Sequence, residues 1–140
     1  MKKIVAVSGG FDILHAGHIN LLREARKLGD KLIVILNNDN WLAKKKNYVF
    51  MNEHDRMKIM KAIRYVDEVV LTCHAENDPD VSVCRELEKI RPDIFANGGD
   101  RNQDNIPEYQ LCNSLGIQMV FNVGGGKVAS SSQIAKKHSI

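Results

Sequence analysis

The run Ser8-Gly9-Gly10-Phe11-Asp12-Ile13-Leu14-His15-Ala16-Gly17-His18 concentrates residue types that can handle a phosphorylated ligand. Paired glycines let a backbone approach a ligand closely, and a helix starting just beyond them turns its first amides toward the same place. His15 and His18 lie three apart at that helix start, so both rings can face one point while the helix terminus adds partial positive charge. Gly17 between them leaves room for a bulky anion against the backbone. The blander reading makes the histidines a first-turn surface pair and the glycines plain turn residues. Gly-Gly-Phe-Asp and His-x-Gly-His coinciding after one strand favours a phosphate cradle with two imidazole donors. Asp12 fits a carboxylate that orients the turn or a histidine, with a metal role as the lesser option.

Such a cradle needs a buried strand before it and a helix after it, and the rest of the chain repeats that alternation. Short β-branched runs predict strands at 4–7, 32–36, 68–71, 93–96 and 117–121, and amphipathic stretches predict helices at 17–28, 52–63, 82–90, 108–115 and 131–137. Gly29 and Gly116 stand where left-handed C-caps are wanted, and Asn52 with Asp55 reads as an N-cap with an acidic first turn. Nearly all-apolar strands alternating with helices predict one α/β domain over 1–140, a doubly wound parallel five-stranded sheet. Ligands in such sheets bind at the carboxyl ends of the strands, which directs attention to the loops 8–16, 37–51, 72–80, 97–107 and 122–130.

Those loops hold the remaining chemistry. Lys44, Lys45 and Lys46 fall in the long second loop, suited to act as a lid whose Lys44 and Lys46 meet phosphates while Lys45 points to solvent. Arg64 at a helix end is either a ligand contact or a cation offsetting the helix dipole. Gly124, Gly125, Gly126 and Lys127 precede Ser130, Ser131 and Ser132, a hydroxyl-rich helix start that suits a phosphate.

Whole-chain composition sets bounds. With 140 residues, 44% hydrophobic and 26% charged, the chain is long enough for a core without staples, and 20 basic against 17 acidic residues gives only +3. That excludes the basic footprint of a dedicated nucleic-acid binder, so an anionic ligand must be met by local clusters. The longest wholly apolar run, 32–36, is far too short to span a membrane, and Met1-Lys2-Lys3 leads into a strand, so a soluble cytoplasmic protein is expected. Cys73, Cys84 and Cys112 lack metal or disulfide spacing and read as reduced thiols near a core.

The first-loop residues resemble the G-x-F-D-x-L-H-x-G-H signature of the cytidylyltransferase-like nucleotidyltransferases, and the resemblance covers essentially the whole chain. Its H-x-G-H core also occurs in class I aminoacyl-tRNA synthetases, which need a longer chain and a K-M-S-K-S-type loop. Asn37-Asn38-Asp39, the three lysines and Arg64-Tyr65-Val66-Asp67-Glu68-Val69 look like glycerol-3-phosphate cytidylyltransferases. Arg91-Pro92-Asp93 and Gly98-Gly99-Asp100 look more like heptose-phosphate adenylyltransferases. Lys127 and the three serines take the place of the family's Arg-Thr-Glu-Gly-Ile-Ser-Thr-Thr type motif.

The resemblance implies a Rossmann-like fold and in-line transfer of a nucleotidyl group to a phosphate with pyrophosphate leaving. His15, His18, Lys44 and Lys46 would be catalytic. Ser8, Gly9, Gly10, Phe11, Asp12, Gly17, Arg64, Asp100, Ser130, Ser131 and Ser132 would bind the nucleotide, and Asn37, Asp39 and Lys127 the acceptor. Mg²⁺ would arrive with the nucleoside triphosphate, held by phosphates and water without a protein metal cage, and the chain would pair as a homodimer. Through Arg64 the expected reaction is CMP transfer from CTP to a small phosphorylated polyol or alcohol of the glycerol 3-phosphate type. The alternatives are an adenylyltransferase acting on a sugar phosphate or FMN, and a non-catalytic nucleotide-binding module.

Overall fold

A computed structural model describes residues 2–99 and 106–124. Strands β1 (Ile4–Gly9), β2 (Lys31–Leu36), β3 (Glu68–Leu71), β4 (Ile94–Ala96) and β5 (Gln118–Val120) form one parallel sheet in the order β3-β2-β1-β4-β5. Helices α1 (Ala16–Arg26), α2 (Asp39–Lys46), α3 (Glu53–Lys61), α4 (Cys84–Ile90) and α5 (Tyr109–Leu115) fill the connections. The doubly wound α/β expectation is therefore met. The predicted helix at 131–137 lies outside the described residues.

The period-two alternation of the strands divides the core in two. Val5, Val7, Leu32, Val34 and Leu36 face Leu22 and Ala25 of α1 and Met60 of α3. Ala6, Ile35 and Phe95 point the other way, onto Leu87 of α4 and Cys112 of α5. Every strand that pairs on both edges is thus apolar on both faces.

The amino edge of the sheet is closed by carboxylates. Asp30, Asp67 and Asp93, each next to a strand start, accept the amides of Lys3, Leu32 and Ile4 at 2.8 Å. Backbone donors that would otherwise lack partners are satisfied there. Function is left to the opposite edge, where β2 and β3 run to one side of β1 and β4 and β5 to the other. That reversal opens a crevice beside the end of β1.

Two local expectations need correction. Residues 39–46 are helix α2, where the sequence suggests loop: Asn38 caps it by accepting the Trp41 amide at 3.0 Å, and Asn47 ends it with a left-handed φ of 65°. Gly29 is no left-handed cap, since α1 ends at a right-handed Lys27. A Cβ at position 29 would lie 2.7 Å from the Lys3 carbonyl, so close packing on the backbone just before β1 requires the glycine. Gly116 does cap α5 with φ 72°. No helix among the described residues is long and apolar enough to cross a membrane.

Candidate active site

β1 runs two residues beyond the predicted 4–7, so Ser8 and Gly9 form the end of the central strand and the histidine loop leaves from its carboxyl edge. His15 becomes the N-cap of α1, and the two rings interlock through the backbone. His15 Nδ1 accepts the Gly17 amide at 3.1 Å, and His18 Nδ1 accepts the His15 amide at 3.2 Å. A neutral imidazole whose Nδ1 accepts a hydrogen bond carries its proton on Nε2. Both rings are thereby set to donate from Nε2. They stack at 3.8 Å between centroids with 26° between planes, so the two donors belong to one rigid unit. The Gly17 amide is engaged in the cap.

Phe11 is buried beneath this unit, edge-on to His18 at 4.9 Å and 76°. It supports the His18 imidazole. Gly9 is small for the same reason: a Cβ there would meet the Phe11 ring at 3.0 Å. A Cβ on Gly10 would meet Leu42 at 2.9 Å and Trp41 at 3.2 Å. At both glycines the space a Cβ would fill is taken by protein side chains.

Asp12, fully buried, accepts the amides of Phe50 and Met51 at 2.7 Å through its two oxygens. It ties the segment after α2 to the histidine turn. Arg56 continues the tie. Buried on α3, it donates to the carbonyls of Gly10 (2.8 Å), Asn37 (2.6 Å) and Met51 (2.9 Å) and to Asp39 Oδ1 (2.8 Å). A planar fork with five donors is the side chain able to hold so many acceptors at once. The ends of β1 and β2, α2 and the 48–51 segment therefore meet on one guanidinium.

Asn37 and Asp39, the expected acceptor contacts, stand just after β2 and at the start of α2. Asp39 is committed to Arg56, while its amide donates to Glu53 at 2.9 Å. Asn37 is buried at the end of β2, and Asn97 holds the equivalent place after β4. Each has an Oδ1 with no hydrogen-bond partner among the described residues. These two acceptors flank the end of β1. Sequence reasoning missed Arg56 and the Asn97 side chain as site elements. Arg56 has a signal: it stands four residues before buried Met60, on the stripe that should be apolar.

Lys44, Lys45 and Lys46 lie in the last turn of α2, so they complement its dipole and do not ride a lid. Lys44 Nζ donates to the Asp78 carbonyl at 2.6 Å, toward the segment after β3. That segment is firmly held. Asn38 and Asn40 both donate to the His74 carbonyl, and buried His74 bridges Thr72 and the Ser82 carbonyl at 2.8 Å each. The Arg85 guanidinium at 2.7 Å and the Ala75 and Asp80 amides hold the Asp78 carboxyl well below the usual carboxylate range.

Arg64 is not brought to the histidines. Exposed and 5.2 Å from the Tyr65 ring, it precedes β3 at the amino edge, where the neighbouring Asp67 pairs with Leu32. The histidine loop departs opposite Leu36, four residues along β2 from Leu32, or about 13 Å at about 3.3 Å per residue. Asp100, Lys127, Ser130, Ser131 and Ser132 lie outside the described residues.

The two imidazoles are fixed at the carboxyl end of the central strand, beside the switch in strand order, where α/β domains of the doubly wound class bind their ligands. The chain belongs to the cytidylyltransferase-like family, whose model matches residues 6–134. It is 38% identical to the FAD synthase of Pyrococcus horikoshii, over 84% of this chain and 78% of that protein. It is 33% identical to the ethanolamine-phosphate cytidylyltransferase of Arabidopsis thaliana, over 86% of this chain and 29% of that longer protein. Among solved structures, the lipopolysaccharide core biosynthesis protein from Thermoplasma volcanium GSS1 matches with a TM-score of 0.67 and 30% identity, covering 86% of this chain and 94% of that one.

Proposed function

We propose that this protein transfers AMP from ATP to the phosphate of a phosphomonoester acceptor, with FMN as the favoured acceptor and FAD as product. An acceptor phosphate oxygen attacks the α-phosphorus, the bond to the bridging oxygen breaks, and pyrophosphate leaves. The observation that carries this reading is the stacked histidine pair with both Nδ1 atoms engaged, because charge develops on phosphoryl oxygens during the step and fixed N–H donors stabilise it. Mg²⁺ would enter with the triphosphate, held by phosphate oxygens and water. Asp12 is not offered as its ligand, since both its oxygens already accept amides.

Similarity to an FAD synthase over most of both chains favours the adenylyl alternative over the expected transfer of CMP to a polyol phosphate. Arg64, on which the preference for CTP rests, stands at the far edge of the sheet. Cytidylyl transfer to a phosphoalcohol is the second reading, supported by the similarity to an ethanolamine-phosphate cytidylyltransferase. Pyrophosphate release separates them: ATP or CTP with Mg²⁺ is offered against FMN, glycerol 3-phosphate, phosphoethanolamine and heptose 1-phosphate. Release with ATP plus FMN is expected, whereas turnover with CTP and not ATP overturns the base, and no release with any pair overturns the reaction.

A further inference from the structure

We infer that the side chains of residues 48–50 form the wall on which the acceptor's non-phosphate part lies, and that this part is a large planar apolar ring system. The inference rests on the nucleotidyl-transfer reading above.

Tyr48, Val49 and Phe50 are 36%, 37% and 49% exposed, consecutive members of the small set of large apolar side chains that the described residues leave in solvent. They are not on a loose surface excursion. The Phe50 and Met51 amides are bound to Asp12, whose neighbour Phe11 supports the His18 ring, and the Met51 carbonyl is bound to Arg56, which also holds the ends of β1 and β2. The segment is thus fixed to the turn that carries the two imidazoles, on the β2 side of the crevice. Three consecutive exposed apolar side chains fixed next to a candidate ligand site mark a surface that is covered in use. Neither a triphosphate chain nor a polyol phosphate has apolar area to cover it. A fused aromatic ring joined to the reacting phosphate through a short chain does, and stacks favourably on tyrosine and phenylalanine. The adenine of ATP is the competing ring, and a KM for ATP that rises in place of that for FMN reassigns the wall to the nucleotide and overturns the inference.

The test compares the wild-type protein with the Tyr48→Ser/Phe50→Ser double variant and with Phe50→Ser alone. ATP and FMN are the substrates, and flavin fluorescence titrated with protein gives a binding readout independent of turnover. The expected result is a rise in KM for FMN of about tenfold or more in the double variant, with KM for ATP and kcat within about twofold, and a smaller rise for the single variant. The fluorescence midpoint for FMN should move by the same factor. Wild type that turns over FMN while the variants keep its KM and midpoint overturns the wall and leaves the reaction standing. Unchanged FMN parameters together with a change of oligomeric state by light scattering also overturn it, and reassign the patch to contact between copies. Wild type that ignores FMN and turns over a polyol phosphate overturns the acceptor reading and the wall together.

Discussion

At the scale of single residues, the site depends on which atoms are already occupied. His15 and His18 are recognisable in the sequence from their spacing and from the glycines before them. Their stacking and the engagement of both Nδ1 atoms were not, because each partner is a backbone amide placed by the helix start. Asp12 illustrates a harder case: its partners are 38 and 39 residues away, and no local pattern announces them. Gly9 and Gly10 are expected from the sequence to let a ligand near the backbone; what the fold adds is that the space a Cβ would fill there belongs to Phe11, Trp41 and Leu42. His18→Ala is expected to lower kcat by about 10²-fold through loss of a positioned donor, with far-ultraviolet circular dichroism unchanged. Steady-state kinetics with the acceptor found active checks it, and a kcat within a few-fold of wild type removes His18 from the reaction.

The elements were readable to within a few residues where apolar period and cap agreed, as for β3 at 68–71 and for α3 behind Asn52. Helix α2 escaped because it buries only Leu42 and ends in three lysines, which together resemble a solvated loop. Its cap, Asn38, was visible in the sequence, but its binding through Asn40 and Trp41 to the segment after β3 is tertiary. Arg56 joins elements that would otherwise meet only at their ends. Arg56→Met should destabilise the protein by about 3 kcal/mol, since a partly shielded carboxylate and three carbonyls lose their donor. Arg56→Lys should not restore that loss, because one ammonium cannot span four acceptors. Urea unfolding of the two variants measures both, and a lysine variant as stable as wild type would show that charge alone suffices.

For the whole molecule, the order β3-β2-β1-β4-β5 buries β1 at the centre and delivers the histidine loop from the strand least free to shift. Alternating β and α patterns implied a parallel sheet. The strand order needed the observed pairing, because periodicity carries no information about neighbours. Burial also sets an alkaline limit to stability. Burial pushes the Cys112 thiol up to about 11, above its ordinary value of 9.0, and raises that of Cys84. Between those two pH values the unfolded chain has lost the Cys112 proton and the native protein has kept it, so stability should fall as pH rises through the window. Urea midpoints at pH 8, 9.5 and 10.5 measure the fall, and Cys112→Ala should flatten it; an equal slope in the variant assigns it to other groups. Among the described residues, the hydrogen bonds that fix the 48–51 segment to the scaffold run through backbone atoms, the amides of Phe50 and Met51 and the carbonyl of Met51. A bond made by the backbone does not depend on which side chain the residue carries. In evolutionary terms 48–50 is a cassette whose side chains can be exchanged while Asp12 and Arg56 keep the same bonds; on the proposed reading of the acceptor wall, such an exchange refits one catalytic frame to a new acceptor.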